Sequence, residues 1–239
     1  MQAWRFLLPS FLGFLLRNLA HASIDKLRGA PARTIQSAAY VAANAQRESP
    51  GDVLHTLDRF AREERWLMSV GPKKGPLIEE LAARLPPNAR VLEIGAYCGY
   101  SSIMMAKAYG SDVKITSIEI DADSVASATA NVEHAGLSEQ VEFLHGPSSK
   151  VLEQLNEEYD LIFLDHWKNL YKSDLQLIEQ RGLIKPGSIV VADNVGKVFG
   201  PEQYLSYVRN SGRYECESRV TTVEYTSIAD AVEISVCVG

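Results

Sequence analysis

The chain has little cysteine. Cys98, Cys216 and Cys237 are its only three, widely spaced and with no C-x-x-C pair. That argues against a disulfide framework or a zinc site and fits a reducing compartment. An excess of positive charge is also missing. The formal net charge is −6 and the pI is near 5.4, so no electrostatic footprint for nucleic acid is present. No G-x-G-x-x-G fingerprint and no phosphate-cradling loop occurs, which weakens a dinucleotide enzyme or a Mg2+ phosphohydrolase. Internal repeats and low-complexity tracts are absent. Long apolar runs are scarce as well. Phe6–Leu16 holds Pro9 and Gly13 and falls short of the roughly 20 residues that span a bilayer as a helix.

Residues 1–28 nevertheless differ from the rest. Arg5 and Arg17 flank the apolar run, Trp4 precedes it, and Ala20-His21-Ala22 offers a small-x-small cleavage site. Three readings fit: a secretory signal, a targeting presequence, or an uncleaved anchor that associates with a membrane through residues 4–19. The anchor is carried forward, with a cytoplasmic catalytic domain at 29–239. A chain of this length can bury one full core.

From Arg33 the pattern is regular. Ile35, Ala38, Ala39 and Ala42 predict one helix, and Ser49-Pro50-Gly51-Asp52 starts a second. Leu77, Ile78, Leu81 and Leu85 predict a third. Strands are then expected at Arg90–Ile94, Val113–Ile120, Val141–Leu144, Leu161–Asp165 and Ile189–Asp193. Helices fall between them at Tyr100–Tyr109, Asp121–His134, Ser148–Leu155 and Ser173–Gln180, with another at Glu202–Asn210. Two late β-rich runs, Tyr214–Tyr225 and Asp230–Val238, close the chain. Such alternation predicts an α/β domain with a doubly wound, mostly parallel sheet and helices on both faces. The closing pair is expected as an antiparallel hairpin at one edge.

The chain is organised around Tyr159–Lys168, YDLIFLDHWK, an unbroken apolar strand that ends on Asp165. Ser188–Asn194, SIVVADN, repeats the design and ends on Asp193 and Asn194. As parallel neighbours, these would bring three oxygen ligands to one rim, a set that suits Mg2+ before Ca2+. Helix capping is the bland alternative for each Asp. In VLEIGAYCGYS, Gly95 permits a sharp bend and Gly99 lets a ligand approach the backbone. Glu93 is read as pointing into that turn, where a carboxylate disfavours phosphate and favours a cation. Glu119 ends the next strand, placed to accept both ribose hydroxyls. A cationic nucleoside without phosphates follows: S-adenosylmethionine.

EIGAYCGYS, IEI, FLDHWK and ADN, in this order with WLMSVGPKKG, closely resemble catechol O-methyltransferase from Arg33 to the C-terminus. The resemblance implies a seven-stranded, Rossmann-like class I methyltransferase domain, monomeric, using S-adenosylmethionine and Mg2+ on small catechols. By motif it implies Asp165, Asp193 and Asn194 as metal ligands and Lys168 as general base. Glu224 would fix the second catechol hydroxyl. Val70, Gly95, Tyr97, Ser101, Glu119 and Ser148 would line the cofactor site. His166 and Trp167 would pack by the adenine and the pocket mouth, and Trp66 and Met68 beside the aromatic ring. Two departures stand out. The family's proline wall becomes VGKVFGP, with Val198 or Phe199 nearest, and its Ser-Gln pair becomes Ser148-Ser149. A reading from another class is a membrane-tethered binding or trafficking factor that keeps the fold with little turnover.

Overall fold

The computed structural model describes residues 29–198, 200–224 and 226–239, with Leu16 and Asp25. The anchor or targeting segment expected at 1–28 therefore lies outside the described residues, those two excepted. Asp25 pairs with Arg65 at 2.8 Å. Among the described residues no helix is long and apolar enough to cross a membrane.

Helices α1 (Arg33–Asn44) and α2 (Pro50–Glu63) open the described chain. Pro50 sits in the first turn of α2, where a missing N–H breaks no helical hydrogen bond. Helix α3 (Gly71–Glu79) starts well before the expected apolar stripe and tightens into a 3-10 turn at Glu80–Arg84. Its buried face is Gly71, Lys74, Gly75 and Ile78. Two glycines and a lysine give no apolar periodicity, which is why the sequence pattern begins this helix too late.

Seven strands follow: β1 (Arg90–Ile94), β2 (Lys114–Glu119), β3 (Val141–His145), β4 (Tyr159–Leu164), β5 (Ile184–Ala192), β6 (Tyr214–Thr222) and β7 (Ala229–Cys237). Helices α4 (Tyr100–Tyr109), α5 (Ala122–His134), α6 (Ser148–Leu152), α7 (Tyr171–Gln180) and α8 (Glu202–Asn210) connect the first six. The sheet order is β3-β2-β1-β4-β5-β7-β6. Strands β1 to β5 pair in parallel, while β7 runs antiparallel to both β5 and β6. The closing hairpin thus reaches the sheet through β7 and leaves β6 at the edge. Strand β5 opens at Ile184, earlier than expected, because the exposed Pro186-Gly187 pair interrupts its apolar signature.

Both faces of the sheet are covered. Val91, Leu161, Phe163, Ile189 and Val191 enter one core with α2, α3 and α4. Their neighbours Leu92, Ile94, Ile162, Leu164 and Val190 enter the other with α7 and α8. Residues of one strand alternate between two buried layers, so each strand reads as a continuous apolar run. Strand order reverses at β1 and β4: the chain winds outward through β2 and β3, then returns to the opposite side of β1. A crevice opens at the carboxyl ends of strands at such a switch point.

Candidate active site

That crevice is a cavity of about 970 Å³, large enough for a nucleoside cofactor with a small second molecule. Its lining includes Trp66, Met68, Val70, Gly95, Tyr97, Ser101, Glu119, Ser148, Asp165, His166, Trp167, Lys168, Asp193, Asn194 and Glu224. One residue singled out from the sequence is not there. Glu93 lies on β1, fully buried beneath the turn, and accepts from the Ser102 and Ser117 hydroxyls. Burial pushes its carboxyl above the usual range. It supports the turn from below rather than facing a ligand. Among the described residues Val198 does not line the cavity either, and Phe199 lies outside them. Val223 is part of the lining instead.

The glycine turn fits tightly against the end of β4. Gly95 has φ +104°, and a Cβ there would meet the Asp165 carbonyl oxygen at 2.6 Å. A side chain would therefore push the two strand ends apart. Glu119 is held at the rim by two backbone donors, Tyr97 N and Asp121 N, each at 2.9 Å, one per oxygen. Each oxygen keeps a second lone pair, so the carboxylate can still accept two vicinal hydroxyls. Val70 is fully buried at the end of the loop before α3.

The parallel β4–β5 register aligns Leu164 with Ala192. Asp165 and Asp193 are therefore the next residues on adjacent strands, and Asp193 N donates to the Leu164 carbonyl at 3.0 Å. Burial pushes the Asp165 carboxyl up to about 7; Lys168 pulls it back and the neighbouring Asp193 charge raises it again. Two carboxylates crowded this way favour a cation between them.

Among the described residues no group of three or more His, Cys, Asp or Glu side chains gathers to hold a metal. The candidate set is of another kind, two carboxylates and the Asn194 amide. Asn194 has φ +54°, a left-handed conformation that Asn tolerates. Its Nδ2 donates to Asp230 at 2.8 Å, which turns Oδ1 away from that acid. All-oxygen donors of this type fit a hard divalent ion. The residues present thus fit Mg2+.

Two lysines stand at this corner in different states. Lys168 Nζ lies 3.2 Å from Asp165 Oδ1 and 3.2 Å from the His166 carbonyl, above the Tyr171 ring. Its side chain is 28% exposed, so it can exchange a proton with the cavity. Lys74, which sequence reasoning missed, is 2% exposed and bridges Asp193 at 2.6 Å and Asp230 at 2.8 Å. Burial alone would lower its ammonium, but the charges of Asp193, Asp230 and Asp165 outweigh this and raise it. Lys74 is a fixed charge. The sequence pattern does not mark it, because Lys74 shares its buried helical face with two glycines.

His166 is fixed by Asp174, 2.9 Å from Nε2, and by the Tyr171 ring. Trp167 and Met68, 72% and 62% exposed, stand at the mouth. Glu224 is buried, and Lys73 N donates to its carboxylate at 3.3 Å. It packs where a Gly71 Cβ would stand, 2.1 Å from Glu224 Cγ, at φ +64°. Gly71→Ala is therefore expected to displace Glu224. A ligand that meets Glu224 should bind about 10-fold or more weakly, the scale of one lost hydrogen bond to a charged group. A ligand held at Glu119 should bind as in the wild type, and calorimetry of both checks this.

Comparison with known proteins agrees with this geometry. An O-methyltransferase family model matches residues 45–214. Catechol O-methyltransferase of Mus musculus is 37% identical over 202 residues, covering 81% of this chain and 76% of that protein. The transmembrane O-methyltransferase homolog of the same species is 34% identical, covering 81% of this chain and 77% of its own. The O-methyltransferase TomG from Streptomyces achromogenes, solved in complex with SAM, superposes with a TM-score of 0.67 at 24% identity, over 79% of this chain and 90% of that one. An O-methyltransferase from Bacillus cereus in complex with SAH gives 0.66 at 18% identity, over 92% and 97%. On its sequence match, and with the class I methyltransferase fold, the chain belongs to the S-adenosylmethionine-dependent O-methyltransferase family, with catechol O-methyltransferases among its relatives.

Proposed function

We propose that this methyltransferase transfers the methyl group of S-adenosylmethionine to one hydroxyl of a catechol, with Mg2+ held by Asp165, Asp193 and Asn194. The observation that carries this reading is the convergence of those three residues with Lys168 and Glu224 on one cavity, which also holds Glu119 and the glycine turn. Bound Mg2+ would supply the positive charge that makes a phenolic oxygen, with a pKa near 10, an oxyanion at neutral pH.

The side chains of this chain do the rest. Lys168, on the rim and within reach of the cavity, takes the phenolic proton at Nζ. Glu224 accepts from the hydroxyl that is not methylated and fixes which oxygen faces the cofactor. Trp66 and Met68 hold the ring by its apolar faces. Glu119 holds the ribose, with Val70, Tyr97, Ser101, Ser148 and His166 around the rest of the cofactor, so both reactants meet already oriented. Trp167 at the mouth limits the entry of water.

Purified protein assayed against catechols and matched monophenols tests the proposal. Monomethylated product from catechols alone supports it. Methylation of monophenols at equal rates, or no turnover of any catechol, contradicts it; the latter would favour the binding-factor reading. We further propose that residues 1–28 associate the catalytic domain, 29–239, with a membrane. Relatives named as transmembrane O-methyltransferases favour this. Equal solubility with and without residues 1–28 in fractionated cells would refute it.

A further inference from the structure

Asp230 lies outside every motif discussed so far, yet it is the most connected acid at the rim. It stands at the start of β7 and is buried. Its Oδ2 accepts from Asn194 Nδ2 at 2.8 Å and from Lys74 Nζ at 2.8 Å. Its Oδ1 accepts from Gly196 N at 3.0 Å. Gly196 is required for that approach, because a Cβ there would meet the Asp230 Cα at 2.5 Å.

A carboxylate ionised by a lysine can only accept hydrogen bonds. The Asn194 amide has one donor end and one acceptor end, and only the donor end can face Asp230. The acceptor end, Oδ1, must then face the other way. For a metal ligand this choice decides everything, since the amide oxygen binds a hard cation and the amide nitrogen does not.

Lys74 adds a second constraint. Without it, Asp230 would be a third carboxylate free to draw the cation away from Asp165. With it, one positive charge is shared between Asp230 and Asp193, so Asp230 competes less for the cation. One oxygen of Asp193, Oδ1, is itself taken by Lys74 at 2.6 Å and by Asn194 N at 2.7 Å. That leaves Oδ2 for a cation.

We propose that Asp230, held by Lys74, is a positioning residue that fixes the Asn194 amide with its oxygen towards the divalent cation. This rests on the Mg2+ reading above. Outer partners of metal ligands typically contribute roughly 10–100-fold in metal affinity.

The test is Mn2+ binding to the full chain, read by electron paramagnetic resonance of free Mn2+, beside the S-adenosylmethionine affinity by calorimetry. Asp230→Asn keeps the shape but presents a group that can donate as well as accept. It is expected to weaken Mn2+ binding by roughly 10–100-fold while the S-adenosylmethionine affinity stays within about twofold. In an Asn194→Ala background the same substitution is expected to add less than about twofold, because its partner is gone. Wild-type Mn2+ affinity in Asp230→Asn, or penalties that multiply fully in the double variant, would overturn the inference and leave the metal reading standing. No Mn2+ binding by the wild type would overturn both. If Asp230→Asn fails to hold S-adenosylmethionine, Lys74→Gln/Asp230→Asn removes the buried ammonium that has lost one of its two carboxylates. The same results then decide.

Discussion

Asp193→Ala is expected to lower kcat/KM for catechol by at least about a thousand-fold, the scale on which transition-state charge stabilisation is lost. Asp193 directly follows β5 and is nearly fully buried. Its carboxylate is one of two that would hold the dication. Its removal also strips Lys74 of one partner and leaves Asn194 N without its acceptor. Breaking a buried ion pair from one side costs roughly 3–5 kcal/mol of stability, so the isosteric Asp193→Asn belongs in the same experiment. Steady-state kinetics with S-adenosylmethionine affinity as a folding control separates the two effects. Both variants should bind S-adenosylmethionine and turn over little. Near wild-type turnover in either would remove Asp193 from the mechanism.

Lys168→Met should lower kcat by about 10²–10⁴-fold at neutral pH, the usual contribution of a positioned general base. The geometry distinguishes this lysine from its neighbour. Lys74 borders the cavity but is nearly fully buried and gripped by two carboxylates, so it stays charged and cannot accept a proton. Lys168 meets one carboxylate at 3.2 Å and remains partly open to the cavity. Methionine keeps an unbranched side chain of similar length and removes the amine that stands over the Tyr171 ring. Loss should shrink as pH rises towards the phenol's own pKa near 10, where acceptor ionisation no longer needs a base. A pH–rate profile of wild type and variant checks this. Parallel profiles, with the variant low at every pH, would show that Lys168 orients rather than deprotonates.

Much of the fold was legible because its strands are buried on both faces. Residues 161–164 and 189–192 read as unbroken apolar runs, and the structure shows them feeding two cores at once. The acids that follow those runs then had to share a rim, since parallel neighbours end together. Asp165 with Asp193, and Gly95 with Glu119, were visible from strand ends alone. What the pattern hid has physical causes. Helix α3 buries glycines and a lysine, which mimic a loop, so Lys74 passed unnoticed. Asp230 comes from an antiparallel strand inserted beside β5, and nothing local ties it to Asn194, which lies 36 residues away in sequence. Glu93 misled in the opposite sense. An acid next to a glycine turn looks aimed at a ligand, but β-strand alternation carries its side chain under the turn to two serines. Pairing across the sheet, unlike periodicity along it, cannot be read from a single chain.

The most direct measurement of the central claim is methyl transfer to a catechol by protein stripped with chelator and then titrated with Mg2+. The rate should be near zero in chelator and return to the starting value as free Mg2+ rises. A full rate that persists in chelator would contradict the proposed role of Asp165, Asp193 and Asn194.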